Sequence, residues 1–205
     1  MPEQNLHKTF IAGLWDNNPV LRLLLGMCPT LAVTAAVKPA LTMGLSVIFV
    51  LTCSNIVVSL MRNLLKPHLR ILMFTLTIAT FVTIADLYLK AFQPEMSEAL
   101  GPYIPLIIVN CLIISRCEIC ASKQDATVAL ADGAGMSLGF ALALASIASV
   151  RELLGSGTWF GLPVLSPFGW PNWGIMVLPP GAFLTLGLLL AAVEWFSQAR
   201  KRRSA

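Results

Sequence analysis

Cysteine offers this chain its most versatile chemistry, and five are present: Cys28, Cys53, Cys111, Cys117 and Cys120. Three of them fall in one stretch, Asn110-Cys111-Leu-Ile-Ile-Ser-Arg-Cys117-Glu118-Ile-Cys120-Ala-Ser-Lys123, directly after the apolar run Pro105-Leu-Ile-Ile-Val. An earlier stretch, Gly26-Met-Cys28-Pro29, also sets a cysteine inside an apolar segment. Thiolates are the usual ligands of iron–sulfur clusters, and a [2Fe–2S] cluster needs four. Cys28 and Cys111 would supply two, leaving two for a second chain. Cys117 and Cys120 form a CxxC, which serves either as a metal site or as a thiol pair without metal. Any one of these cysteines taken alone reads as a small buried hydrophobe.

What could position the two cysteines follows from composition. Of 205 residues, 57% are hydrophobic and only 12% charged. Mean hydropathy is +0.78. Globular chains average about 25% charged residues, so this chain cannot cover a water-facing surface of its size. It reads as an all-α integral membrane protein, and the apolar excess excludes disorder. The net charge of +4 does not point to nucleic acid, because the basic residues flank apolar runs, as topology signals do. Residues 1–18 lack the apolar stretch of a cleaved signal peptide.

About six spans are expected, each near the ~20 apolar residues a bilayer requires. They run over about 19–37, 41–61, 71–91, 103–115, 126–150 and 175–196, the fourth short enough to be a broken span. The Gly-, Pro- and Trp-rich segment from Gly155 to Trp173 reads as an interfacial loop. With both termini cytoplasmic, the inner segments hold most of the Lys and Arg, among them Arg62, Arg70, Arg116 and the cluster Arg200–Arg203. The outer loops hold only Lys38, Lys90 and Arg151, and this bias sets the orientation.

Cys28 lies nine residues after Pro19, and Cys111 nine after Pro102. At 1.5 Å per residue that is roughly 13.5 Å, about half of a ~30 Å hydrocarbon core. The two cysteines thus approach the midplane from opposite sides, as two antiparallel three-helix halves would arrange within one membrane domain, about 14–92 and about 101–197. Gly26 or Pro29 would open the first span, giving half-helices at spans 1 and 4. Ionisable residues within spans are functional candidates. Asp132 heads the glycine series Gly133, Gly135 and Gly139, whose small residues suit close helix packing, and Asp132 itself reads as a capping or pairing group. Glu194 reads as an interfacial partner for Arg200 or Lys201.

Several motifs are similar to one family. Leu14-Trp-Asp-Asn-Asn-Pro-Val-Leu21, Leu25-Gly-Met-Cys28-Pro-Thr-Leu-Ala-Val-Thr34 and Cys53-Ser-Asn-Ile-Val-Val-Ser-Leu60 resemble the E subunit of the Rnf electron transport complex. So do Ile104 to Cys111, Arg151-Glu-Leu-Leu-Gly-Ser-Gly-Thr-Trp-Phe-Gly161 and Leu178-Pro-Pro-Gly-Ala-Phe-Leu184. The resemblance spans about Leu14 to Trp195, and the D subunit of the sodium-pumping NADH:quinone reductase is a related family. It implies a non-autonomous member of a redox-driven ion translocase in the bacterial inner (cytoplasmic) membrane. It implies pairing with a homologous membrane protein of opposite orientation, the A subunit of the same complex, the two chains sharing one mid-membrane [2Fe–2S] cluster. The matching ligand positions here are Cys28 and Cys111. Further Rnf proteins, the B, C, D and G subunits with their iron–sulfur clusters and flavins, would pass electrons between ferredoxin and NAD, coupled to sodium or proton movement. At Arg116-Cys117-Glu118-Ile-Cys120-Ala this chain departs from the family pattern Arg-Ala-Glu-Ala-Phe-Ala. Two alternatives remain at this stage: a secondary transporter or channel subunit without a redox centre, because broken inverted repeats also mark transporters, and an assembly scaffold.

Overall fold

The computed structural model describes residues 6–11, 13–14, 17–62, 67–163 and 173–204. In chain order the helices are α1 (Leu6–Ile11), α2 (Met27–Val33), α3 (Val37–Met61), α4 (Arg70–Phe92), α5 (Pro94–Leu100), α6 (Pro105–Ile108), α7 (Cys111–Arg116), α8 (Ala126–Ser156), α9 (Gly174–Val177) and α10 (Pro179–Ser204). A π-helical turn, Cys117–Ala121, continues α7. Among the described residues the one pairing of strands is a short hairpin, Thr158–Trp159 against Leu162–Pro163. Its loop, Phe160 and Gly161, takes positive φ at both positions (59° and 80°), the geometry of a two-residue hairpin turn. It occupies part of the expected interfacial loop, whose residues 164–172 lie outside the described residues.

The protein is a multi-pass membrane protein. α3, α4, α8 and the Pro179–Ala199 portion of α10 are long and apolar enough to cross a bilayer. A further crossing is bent: Pro94–Tyr103 and Pro105–Ala121 meet at 55°. Spans 2, 3, 5 and 6 therefore stand close to where the sequence puts them. Span 4 is longer than expected, and it is broken.

The centre is an antiparallel pair, α3 on α8. The Asn55 side-chain amide donates to Ala129 O at 3.2 Å, and the Ser59 hydroxyl to Gln124 O at 2.9 Å. A Cβ on Gly44 would come within 2.9 Å of Ala141 Cβ, so glycine is what allows these helices to touch. α4 buries only the stripe Phe74, Ile78 and Val82. Its exposed leucines and isoleucines suit a hydrocarbon solvent.

The first span needs correction. The apolar pattern has it begin near Pro19 and extend to about Val37, opened at Gly26 or Pro29. Instead, the chain is already deep in the bundle by Asn18, whose amide donates to Gly139 O at 3.1 Å near the middle of α8. The preceding segment packs against the α8 glycines. A Cβ on Gly135 would lie 2.6 Å from Phe10 O, and one on Gly139 2.8 Å from Gly13 O. The glycine series, read as a packing stripe, thus receives the N-terminal segment. Polar residues such as His7, Lys8 and Asn18 hide this first half-span from a count of apolar runs. Among the described side chains, the Glu194 carboxylate lies 3.8 Å from the Arg22 guanidinium and accepts from Gln198; the expected partners Arg200 and Lys201 lie outside the described side chains.

Candidate functional site

Two interrupted helices meet at the cysteines. Residues 19–25 form an irregular turn, and Asn18 organises it by accepting the Val20 and Leu21 amides on Oδ1 at 3.1 and 3.0 Å. The turn ends at Gly26, whose φ of 75° is left-handed and costs other residues about 1–2 kcal/mol. Gly26, rather than Pro29, makes the break. Pro29 sits in the first turn of α2, where a missing N–H is tolerated. In the second interruption Asn110 caps α7, its side chain accepting the Leu112 amide at 3.0 Å. Cys28 is the second residue of α2, and Cys111 the first of α7.

One hydrogen bond joins the two breaks: the Gly26 amide donates to Cys111 Sγ at 2.9 Å. The contact is close on all sides. A Cβ on Gly26 would lie 2.7 Å from the Phe140 ring and 3.4 Å from Asn110 Oδ1. Phe140 is 14 residues from the start of α8 and 16 from its end, so the junction sits at mid-height of a crossing helix. From the junction α7 runs toward the end of the bundle where Arg116 meets Asp132 on the N-terminal part of α8. α2 runs toward the other end, where Thr34 meets Arg151 near the C-terminus of α8. The two cysteines thus stand at the inner tips of half-helices that diverge to opposite faces.

Both Cys28 and Cys111 are exposed on the isolated chain, whereas Cys117 and Cys120 are buried. Leu23, Leu24 and Val109 are also exposed around the two breaks. Cys117 lies against Asn55 Oδ1, 3.6 Å from its sulfur, and is walled in by the bundle. Cys117 and Cys120 are thus packing residues of the bundle wall beside the Arg116–Asp132 end rather than an exposed thiol pair. Cys53 is half-buried on α3.

Among the described residues no three His, Cys, Asp or Glu side chains converge as a metal-ion site. The donor set at the junction suits half of a four-thiolate site: two outward-facing cysteines with a main-chain donor on one sulfur. Beside them the Asn110 side-chain Nδ2 is buried without a hydrogen-bond partner, a polar group left over by the protein fold itself.

Sequence reasoning missed two residues that tie α2, the start of α3, α9 and the hairpin to α8. Arg151 is almost fully buried (1% exposed) and directs its guanidinium at Met176 O, Val177 O, Leu178 O, Leu31 O and the Thr34 hydroxyl. Glu152 accepts the Val37 amide at 2.6 Å, and with its other oxygen the Gly161 amide and the Thr158 hydroxyl. A cation thus faces helix C-termini and an anion a helix N-terminus, as the peptide dipoles favour. The signal is present in Arg-Glu beside a Gly-rich loop, but by sequence it reads as a topology charge. Asp132 is a pairing group: both its oxygens accept from Arg116, Oδ2 from Nε at 2.8 Å and Oδ1 from Nη2.

The family model described as "Rnf-Nqr subunit, membrane protein" matches residues 6–190. The chain is 44% identical to the E subunit of the Na(+)-translocating ferredoxin:NAD(+) oxidoreductase complex of Acetobacterium woodii, over 93% of this chain and 97% of that one. It is 41% identical to the E subunit of the proton-translocating ferredoxin:NAD(+) oxidoreductase complex of Clostridium ljungdahlii, over 95% and 91%. It is 45% identical to the E subunit of the ion-translocating oxidoreductase complex of Pseudoalteromonas atlantica, over 88% and 83%. The junction of broken helices lies inside the region these proteins share, and the chain belongs to the Rnf-Nqr family of membrane subunits.

Proposed function

We propose that this chain is a membrane subunit of an ion-translocating ferredoxin:NAD oxidoreductase complex of the bacterial inner membrane, both termini cytoplasmic. In this reading Cys28 and Cys111 supply two of the four thiolates of a [2Fe–2S] cluster, and a homologous membrane protein of opposite orientation supplies the other two. Such a cluster supplies one-electron transfer, and at mid-membrane it divides a ~30 Å crossing into two shorter hops. The observation that carries the reading is the Gly26 amide on Cys111 Sγ. It ties the two cysteine-bearing breaks together, while both cysteines stay exposed for a partner chain.

Each surrounding residue has a definable part. Gly26 holds one sulfur by its amide, and such donors are among the levers on cluster potential. Asn110 and Asn18 satisfy the backbone groups that the breaks release, which at membrane depth would otherwise cost several kcal/mol each. Phe140 walls the junction from behind. The relatives' names differ in the ion moved, sodium in one and protons in another at similar identity.

The test is iron content and electron paramagnetic resonance on the purified membrane complex, wild type against Cys111→Ser. A [2Fe–2S] signal lost in the assembled mutant supports the reading. Unchanged iron and signal would make Cys111 a packing residue and return the chain to the transporter class.

A further inference from the structure

A groove of about 890 Å³ lies between α3 and α4, away from the cysteine junction. One wall is the α3 ridge Leu41, Leu45 and Phe49, and the other is the α4 ridge Ile84, Tyr88 and Phe92. Both ridges step by four residues, so the groove follows the helix axes. Thr42 and Ser46 also line it, but their hydroxyls donate to carbonyls one turn back on α3, leaving the wall effectively apolar. At the deep end Phe49 packs edge-to-face on Phe81, with centroids 6.3 Å apart.

The mouth is charged. Lys38, in the first turn of α3, carries its ammonium 5.9 Å from the Phe160 ring centroid. Lys38 is exposed and makes no ion pair among the described residues, although Glu95 of α5 lines the same mouth. Lys38 and Phe49 are 11 residues apart on one helix. At 1.5 Å per residue that is roughly 16 Å, close to half of a ~30 Å hydrocarbon core. A groove one leaflet deep, apolar along its length and cationic at the interface, has the shape and charge of a site for a single lipid. A crossing helix of a partner would need no cation at one end and would not stop at the midplane.

We propose that this groove binds one phospholipid of the leaflet at the Lys38 end. Its phosphate sits on the Lys38 ammonium, and one acyl chain lies between the α3 and α4 ridges down to Phe49.

The test uses the assembled complex in nanodiscs of phosphatidylcholine with a minority of phosphatidylglycerol. A benzophenone amino acid replaces Leu45 in the groove or, as control, Leu76 on α4, which is comparably exposed (66% and 61%) but outside it. Irradiation at position 45 is expected to give a phospholipid-mass adduct, enriched about fivefold in phosphatidylglycerol over the adduct at position 76. One lysine facing an anionic headgroup supplies that scale. Lys38→Glu is expected to bring position 45 down to the control ratio while the position-76 adduct is unchanged. Should Lys38→Glu fail to assemble, Lys38→Gln makes the same comparison. An adduct at position 45 that follows bulk lipid composition, or a cross-link to another polypeptide, overturns the proposal.

Discussion

Two pairs of buried charges solve opposite problems in this protein. Arg116 and Asp132, on neighbouring helices, neutralise one another through a two-pronged contact. Arg151 and Glu152 are adjacent in sequence and more deeply buried than Arg116, yet both are directed at backbone and hydroxyl groups around the broken elements. Where two side chains face one another between helices, a buried cation is met by a buried anion. Where the backbone is interrupted, the free carbonyls and amides are themselves the counter-charges. The comparison separates charges that hold helices together from charges that make a break tolerable inside a membrane.

The largest effect should come from Arg151→Met. It leaves several buried carbonyls without donors, at ~1–3 kcal/mol each, so the variant should fail to accumulate as a folded protein on size-exclusion chromatography. Glu152→Gln in the same chain should not rescue it, because the two side chains do not neutralise each other. Arg116→Met comes next, costing about 3–5 kcal/mol because Asp132 is left buried and unpaired. Here the double variant Arg116→Met/Asp132→Leu should recover most of the thermal stability. A double variant no better than the single would break the distinction between the two pairs.

A smaller effect is expected at the junction. Gly26→Ala forces a left-handed alanine against Phe140, about 1–2 kcal/mol from conformation alone. Its Tm should fall modestly while iron content per complex falls more, since the same residue holds Cys111 Sγ. Iron tracking the loss of fold one-for-one would mean that Gly26 has no separate part in the site. The smallest effect belongs to Lys90→Ala. The Lys90–Asp86 pair is an i,i+4 contact of 2.7 Å with Lys90 exposed, worth ~0.5 kcal/mol or less. Thermal melting should barely change, in contrast to Arg116.

Much of the architecture is legible in the chain because hydrocarbon imposes its own grammar. Four crossing helices stand near the expected apolar runs, since a span must satisfy its backbone internally and face lipid with apolar side chains. Gly26, one of the two residues expected to open the first span, makes that break, because glycine permits left-handed backbone; the shortness of the fourth apolar run announces its interruption, while the capping by Asn110 comes from the structure. The first half-span is not legible. Phe10, Gly13 and Asn18 lie against α8, and the polar residues of this segment, Asn18 among them, keep it out of a hydropathy count.

By itself, then, the sequence determined the membrane class, the positions of the long helices and the two places where helices stop, all of them consequences of residue type and local spacing. Tertiary structure alone decided that the Gly26 amide meets Cys111 Sγ, that Asp132 belongs to Arg116, and that Arg151 and Glu152 serve the broken elements. Those pairings join residues as far as 85 and 115 positions apart. Which distant group meets which depends on how α8 packs against everything else, and no local preference encodes that choice.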